Sequence, residues 1–284
     1  MYTSVNPSVI PTNFVNAIQT VSVKKKRNIF SGWNQNDMSE FLMFLLESIH
    51  NVISRPIKLK INGIEENNVD KIAMTSYMML QKIYTKEYSE ILELFYGIYI
   101  SSIYSSNKKT LYSIVPEHYF ILDLPIPNKE GIISLYDCLD AFAVEEHLIG
   151  DNMWINEKTK QKEEVIKKIS FFSFPNILTI CLKRFSGDGT FKKNDLVHFP
   201  INHLNLANYI EGYNKQVYIY ELFGICNHIG SLHGGHYTAF VKDIKGQWMH
   251  YNDSSVNFIH ESELSNMITP MAYCLFYRKK NNFI

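Results

Sequence analysis

The stretch Gly234-Gly-His-Tyr-Thr-Ala-Phe-Val-Lys-Asp-Ile-Lys-Gly-Gln-Trp-Met-His-Tyr-Asn-Asp253 decides how the second half of this 284-residue chain folds. Strand-forming runs from His236 to Lys242 and from Trp248 to Asn252 flank a turn around Ile244 to Gln247, with Gly246 able to supply a positive φ, so the spacing predicts a β-hairpin. His236 lies eight residues before position 244 and Asn252 eight after it. In an unbulged ladder the two would face each other about 5 Å apart at Cβ. An Asn carbonyl there would accept from the imidazole Nδ1–H and leave Nε2 as a base, a pattern suited to activating a nucleophile. Asp253 would assist electrostatically or replace Asn252 as orienter. Gly234 and Gly235 would let another backbone approach closely. The same His–Asn pair also reads as an ordinary structural hydrogen bond, and spacing alone does not choose between the two. His228, His233 and His250 lie nearby without the spacing or the carboxylates of a metal site.

Outward from this hairpin, Tyr119-Phe-Ile-Leu-Asp-Leu-Pro125, Ile177 to Phe185, Tyr218 to Cys226 and Ala272 to Arg278 also read as strands, interrupted by a helix near Leu135 to Phe142. The first third has a different texture. Met38, Phe41, Leu42, Leu45, Leu46 and Ile49 form one apolar stripe at helical spacing, with Asn34 able to cap the start and Asp37 placed where negative charge suits a helix N-terminus. Ile72 to Phe95 reads as a second helix ending near Gly97. Helices first and strands later predict an α+β fold with an antiparallel sheet.

Composition narrows the function classes. Lys plus Arg and Asp plus Glu are each 28, so the chain has no global field to hold nucleic acid or an anionic membrane. The run Lys24-Lys25-Lys26-Arg27 reads as a solvated loop. Four widely separated cysteines, none in a C-x-x-C pair, argue against a disulfide scaffold and a cysteine-built zinc site. They suggest a reducing setting, cytoplasmic or nuclear, and neither a signal peptide nor a membrane-spanning run is visible.

Taken in order, these segments resemble the catalytic domain of ubiquitin-specific proteases, the papain-like deubiquitinases. Gln35-Asn-Asp-Met-Ser-Glu-Phe-Leu-Met-Phe-Leu-Leu-Glu47 is similar to the family's QQDAxEFLxxLLD helix. Leu94-Phe-Tyr-Gly97, Leu122-Asp-Leu-Pro-Ile126, Ser134-Leu-Tyr-Asp-Cys-Leu139, Leu182-Lys-Arg-Phe185, Tyr220 to His228, the Gly234 and Trp248 blocks and Ala272 to Tyr277 follow in family order. Such a series is specific where one block alone is weak. The resemblance implies a papain-like cysteine peptidase fold over residues 1–284, with a partial helical thumb (1–96) and an antiparallel β palm and fingers (97–284). It implies thiol-dependent hydrolysis after the C-terminal Gly of ubiquitin, with ubiquitin or a ubiquitinated protein as partner and no cofactor. It assigns His236 as general base, Asn252 as orienter and Asp253 as helper, and it places Gln35, Asp37, Gly234, Gly235 and Tyr237 against the substrate. The Gly230 to Gly235 loop would border the tunnel for the ubiquitin tail. Asp37 would face that basic tail; an acid at a helix N-terminus that only favours the dipole is the other reading.

Two departures from the family matter. No cysteine precedes Cys138, so the family's Asn-Thr-Cys block and its nucleophile are not in this chain, which is then expected to be N-terminally incomplete and inactive alone. Buried, inert thiols fit all four cysteines. A catalytically inactive ubiquitin-binding scaffold is the alternative. Second, Ser105, Lys108, Asn156 and Thr159 stand where family members often place two C-x-x-C pairs, so no metal is expected and the fingers would be held by β packing.

Overall fold

Burial of the apolar positions explains most of the architecture. The computed structural model describes residues 10–32, 34–187, 190–232 and 234–280. Four helices come first: α1 (Thr12–Lys24), α2 (Met38–Ile53), α3 (Asn68–Glu87) and α4 (Glu90–Phe95). A finger-like antiparallel sheet follows, built from β1 (Gly97–Ser105), β2 (Leu111–Tyr119) and, after β3 (Ile121–Pro125) and α5 (Leu135–Phe142), from β4 (Glu146–Leu148) and β5 (Val165–Ser173), in the order β2-β1-β5-β4. The larger sheet adds β6 (Ile177–Lys183), β7 (Ile219–Ser231), β8 (Gly234–Lys242), β9 (Trp248–Asn252), β10 (Ser255–Ile259) and β11 (Ala272–Lys279). Its order is β10-β9-β8-β7-β11-β6-β3, with the short strand Leu204–Asn205 pairing beside β7. All named pairs in it are antiparallel except β3 with β6, which are parallel.

The apolar stripe of α2 faces the body of the protein, but in a rotated sense. Phe44 (1% exposed) and Leu46 are its buried side chains, whereas Ile49 is 40% exposed. Phe44 is covered by the Phe30 ring, 4.7 Å away between centroids, so this helix is wrapped on a flank that a single stripe does not show. The cap is Asp37 and not Asn34: its carboxylate accepts from the amides of Ser39 (2.8 Å) and Glu40 (3.1 Å).

The helix expected over Ile72 to Phe95 is two helices. Tyr88 leaves helical geometry because its backbone pairs with Arg55 in both directions, 2.8 Å each way, and Ser89 then caps the short α4. Gly97 opens a strand. A Cβ there would lie 2.2 Å from the Tyr119 ring, which rests on it from the neighbouring strand. The finger strands β1, β2 and β5 lie where the resemblance implies β fingers, although strand patterning alone does not mark them. Pro116 argues against a strand over β2, yet β2 is an edge strand, where a missing N–H is tolerated.

One large core lies between α5 and the palm sheet, around Leu122, Leu124, Leu135, Leu139, Leu178, Ile180, Leu182, Tyr220, Leu222 and Leu275. Arg184, 1% exposed, crosses its border. Nε donates to the Ala272 carbonyl (2.7 Å) and Nη1 to the carbonyls of Lys193 (3.0 Å) and Asp195 (2.9 Å), tying the end of β6 to the start of β11. Burial pulls this guanidinium down to about 10.

The cysteines require a correction. Cys181 on β6 and Cys274 on β11 are directly opposed in the ladder, with Cα atoms 4.3 Å apart, and form a disulfide, so they are not free thiols. Cys226 on β7 stands opposite Cys274 on its other side. Cross-strand register, invisible in linear spacing, puts three of the four cysteines in one row. Cys138 is fully buried, and burial pushes its thiol up to about 11.

Candidate active site

The hairpin forms, but its register differs from the one expected. Lys242↔Trp248, Val241↔Met249, Phe240↔His250 and Ala239↔Tyr251 are the paired residues of β8 and β9. The centre of the hairpin is therefore position 245 and not 244. The cause is a five-residue tip, in which the Asp243 carboxylate accepts from the amides of Lys245 and Gln247 (both 2.8 Å) and the Asp243 N–H closes on the Gln247 carbonyl. Asn252 thus lies at the level of Thr238, diagonal to His236, a separation that an imidazole and a carboxamide can bridge.

They do bridge it: His236 Nε2 and Asn252 Oδ1 are 2.7 Å apart. The nitrogen is the opposite of the one expected. An amide oxygen only accepts, so Nε2 carries the proton and Nδ1 keeps the lone pair that acts as a base. Asp253 sits in the two-residue turn between β9 and β10 with a φ of +50°, and the described hydrogen bonds of His236 go to Asn252, not to Asp253. His233 lies outside the described residues.

Of the two glycines before His236, Gly235 is demanded by close packing. A Cβ on Gly235 would lie 2.3 Å from the Ile229 carbonyl oxygen and 2.4 Å from His228 Nε2. The approaching backbone is the preceding strand of the same sheet. On its other side Gly235 is gripped by Gln35, whose amide accepts from Gly235 N–H and donates to the Gly235 carbonyl, both at 3.1 Å. Gln35, Asn36, Asp37, Phe185, His228, Ser231, Leu232, Gly234, Gly235 and Tyr237 line one cleft of about 190 Å³ that ends at the residue before His236. All five of the residues expected to meet substrate are therefore in one place.

Asp37 is more deeply engaged than a dipole partner. Besides capping α2, its Oδ2 accepts from Tyr273 Oη (2.8 Å) and Tyr237 Oη (3.4 Å), while Tyr237 Oη accepts from Met38 N–H (3.3 Å). Burial acts to raise its carboxyl, yet the hydrogen bonds from Ser39, Tyr273 and the Glu40 and Ser39 amides outweigh that and hold it below the ordinary value. Tyr273 was missed in the sequence, where it is one aromatic in an apolar strand. Lys192 was missed as well: its ammonium lies 3.1 Å from His228 Nδ1 and donates to the carbonyls of His228 (2.7 Å) and Gly230 (3.3 Å).

At the fingertip, Asn156 is 8% exposed; its amide donates to Glu163 (2.7 Å) and its carbonyl accepts from Lys158 N–H (2.9 Å). Lys108 pairs with Glu145 at 2.7 Å, and Ser105 Oγ accepts from Thr110 N–H (3.0 Å). Side-chain hydrogen bonds thus join β packing in holding this tip. Among the described residues, no group of three or more His, Cys, Asp or Glu side chains is placed to hold a metal ion. No helix of the described residues is long and apolar enough to cross a membrane.

Comparisons with known proteins place the chain among relatives. The ubiquitin carboxyl-terminal hydrolase 2 of Bos taurus is 34% identical over 281 residues, covering 96% of this chain and 44% of that protein. The ubiquitin carboxyl-terminal hydrolase 9 of Arabidopsis thaliana is 42% identical over 172 residues, 56% of this chain and 19% of the relative. The chain thus spans less than half the length of either relative. Among solved structures, the SAGA DUB module of Ubp8, Sgf11, Sus1 and Sgf73 bound to ubiquitin aldehyde superposes with a TM-score of 0.69 at 28% identity, covering 95% of this chain and 54% of that one. The fold is that of the ubiquitin-specific protease catalytic domain. The family profile described as ubiquitin carboxyl-terminal hydrolase matches residues 1–277, and the chain belongs to that family.

Proposed function

We propose that this chain is directed at ubiquitin and carries the base half of a thiol hydrolase that cleaves the bond after the ubiquitin C-terminal Gly. The observation that carries the reading is the His236–Asn252 contact at 2.7 Å, set at the end of the cleft that Gln35, Asp37, Gly234, Gly235 and Tyr237 line. In this mechanism His236 Nδ1 takes the proton of a thiol, the thiolate attacks the carbonyl, and the imidazolium gives that proton to the departing amine as the C–N bond breaks. Water deprotonated by the same nitrogen then attacks the thioester, breaking the C–S bond to release the ubiquitin carboxylate and return the thiol. Asn252 keeps the ring in the tautomer that leaves Nδ1 unprotonated, as an orienting group does in other triads. Asp253, on an exposed turn beside it, contributes a nearby negative charge. The cleft is sized for an extended, side-chain-poor tail, with Gln35 and Gly235 forming one wall.

The four cysteines of this chain do not supply the sulfur. Cys181 and Cys274 are bonded to each other, Cys138 is buried in the core, and burial together with the charge of Asp37 pushes Cys226 up to about 12. That observation also favours the second reading, a ubiquitin-binding scaffold without turnover.

Titrating isotope-labelled ubiquitin with the chain tests the shared part: saturable shifts that include the ubiquitin C-terminal residues are expected, and their absence would sink both readings. A ubiquitin C-terminal fluorogenic substrate should show no thiol-dependent turnover with residues 1–284. Turnover that disappears in Cys226→Ala would overturn the exclusion of these cysteines. If no form of the protein hydrolyses the substrate while ubiquitin still binds, the scaffold reading replaces the enzymatic one.

A further inference from the structure

The strand that leads into the tail cleft ends on a buttress with no equivalent in the sequence motifs. Lys192 follows the turn after β6, and its ammonium reaches three atoms of the β7 end: His228 Nδ1 at 3.1 Å, the His228 carbonyl at 2.7 Å and the Gly230 carbonyl at 3.3 Å. It also lies over the Phe185 ring, 5.7 Å from the centroid. Among the described residues no carboxylate stands within salt-bridge distance of it, so its contacts are carbonyls, one imidazole nitrogen and one ring face. An ammonium has only protons to give, so Nδ1 of His228 must accept, and the ring proton belongs on Nε2.

That ring is the surface on which Gly235 rests, since a Cβ there would come within 2.4 Å of His228 Nε2. Gly235 in turn bonds through its N–H and carbonyl to Gln35, its partner in the cleft wall. A continuous line of contacts therefore runs from Lys192 through His228 and Gly235 to Gln35, ending one residue before His236. Burial, together with the charge of Arg184, lowers the Lys192 ammonium, and burial, together with Lys192 itself, lowers the His228 imidazolium, consistent with one cation and one neutral ring sharing this space.

We propose that Lys192 is a positioning residue for the tail cleft: by clamping His228 and Gly230 it holds Gly235 at the spacing at which Gln35 and the cleft wall accept an extended Gly-rich tail. The proposal deepens the ubiquitin-directed reading and rests on it for the identity of the tail. Without the clamp, the pairing of Gly230 with Gly235 has to be fixed at the moment of binding, and the affinity drops by that cost. The body of ubiquitin, held by other surfaces, does not sense the change.

The test is a split measurement on the full chain. Binding of intact ubiquitin and of ubiquitin lacking its terminal Gly-Gly is measured for the unaltered protein and for Lys192→Met, with thermal unfolding alongside. Unaltered protein should bind intact ubiquitin about tenfold more tightly than the truncated form. Lys192→Met should lose that advantage while binding truncated ubiquitin within about twofold of the unaltered protein. A tail advantage that survives in Lys192→Met overturns the proposal. If Lys192→Met unfolds, Lys192→Gln, which keeps a neutral donor, serves instead, with an intermediate loss expected and an undiminished tail advantage counting against the proposal.

A second readout does not depend on ubiquitin. The ¹⁵N shift of His228 Nδ1 should be that of an unprotonated ring nitrogen, and Gly235 amide exchange should quicken about tenfold or more in Lys192→Met. A protonated Nδ1 or an unchanged Gly235 exchange rate overturns the clamp even if ubiquitin binds. Conversely, no ubiquitin binding by the unaltered protein with a clamp that passes this second test removes the functional reading and leaves the positioning of Gly235 standing.

Discussion

The tail cleft and the fingertip are both held by side-chain hydrogen bonds, but over different reaches of sequence. At the cleft, Gln35 meets Gly235 and Asp37 meets Tyr273, partners 200 and 236 residues apart. At the fingertip, Asn156 meets Lys158 and Glu163, two and seven residues away, and Ser105 meets Asn107 and Thr110. The first arrangement couples the helical third of the chain to the sheet, so its geometry exists only when the whole fold does. The second consists of two local turns, each folding with its own strands, plus one longer tie from Lys108 to Glu145, 37 residues away. Damage to the cleft should therefore be felt globally, and damage to the tip should stay there.

The largest effect is expected from Asp37→Ala, which removes a helix cap and leaves two partly buried tyrosine hydroxyls without their acceptor. About 3 kcal/mol should be lost in urea unfolding. A loss below about 1 kcal/mol, the scale of a simple surface cap, would erase the distinction between the two regions. The same carboxylate gives a pH signature. Its folded value lies below the ordinary 3.8, so its contribution is fully present above that pH and is lost as the pH falls through the folded value. Stability should therefore fall on acidification below 3.8, and less steeply in Asp37→Asn than in the unaltered protein.

Gly235→Ala comes next. The new methyl would overlap the Ile229 carbonyl and the His228 ring, and about 2 kcal/mol of stability should go, together with the tail-dependent part of ubiquitin affinity. Normal stability with normal tail recognition would mean that this part of the cleft yields easily, which would move it into the same class as the fingertip.

Asn156→Ala should cost about 1 kcal/mol, confined to the hairpin of Trp154–Ile155 with Lys162–Glu163, as followed by local amide exchange. Loss of protection spreading to β8 would contradict the separation. The smallest effect belongs to His236→Ala. Its ring is bonded only to the exposed Asn252 among the described contacts, so unfolding should shift by no more than about 0.5 kcal/mol and ubiquitin binding should persist. A large destabilisation would mean that the pair is structural, the plainer reading of the same two residues.

The comparison also explains what could be read from the chain before its structure. The hairpin, α5 and the helix containing Phe44 and Leu46 are written in short-range patterns, and each forms close to where its pattern lies. The register of the hairpin was off by one position because Asp243 folds back on Lys245 and Gln247, a side-chain choice that spacing does not encode. Tyr273, Lys192 and the Cys181–Cys274 pair were missed because each acquires its role from a strand neighbour or a loop far away in sequence. Strand β2 was hidden by Pro116, whose missing N–H falls on an open edge.

The bond between Cys181 and Cys274 has a topological result. It closes a covalent circle across a separation of 93 residues that includes Lys192, the turn at Gly230 and both strands bearing His236 and Asn252. A protease that severs one peptide link inside this circle frees no fragment, and the two pieces travel as one mass until a reductant opens the staple. Nicked and intact protein would be indistinguishable in size without reduction, and the severed ends would stay tethered beside the cleft they once lined.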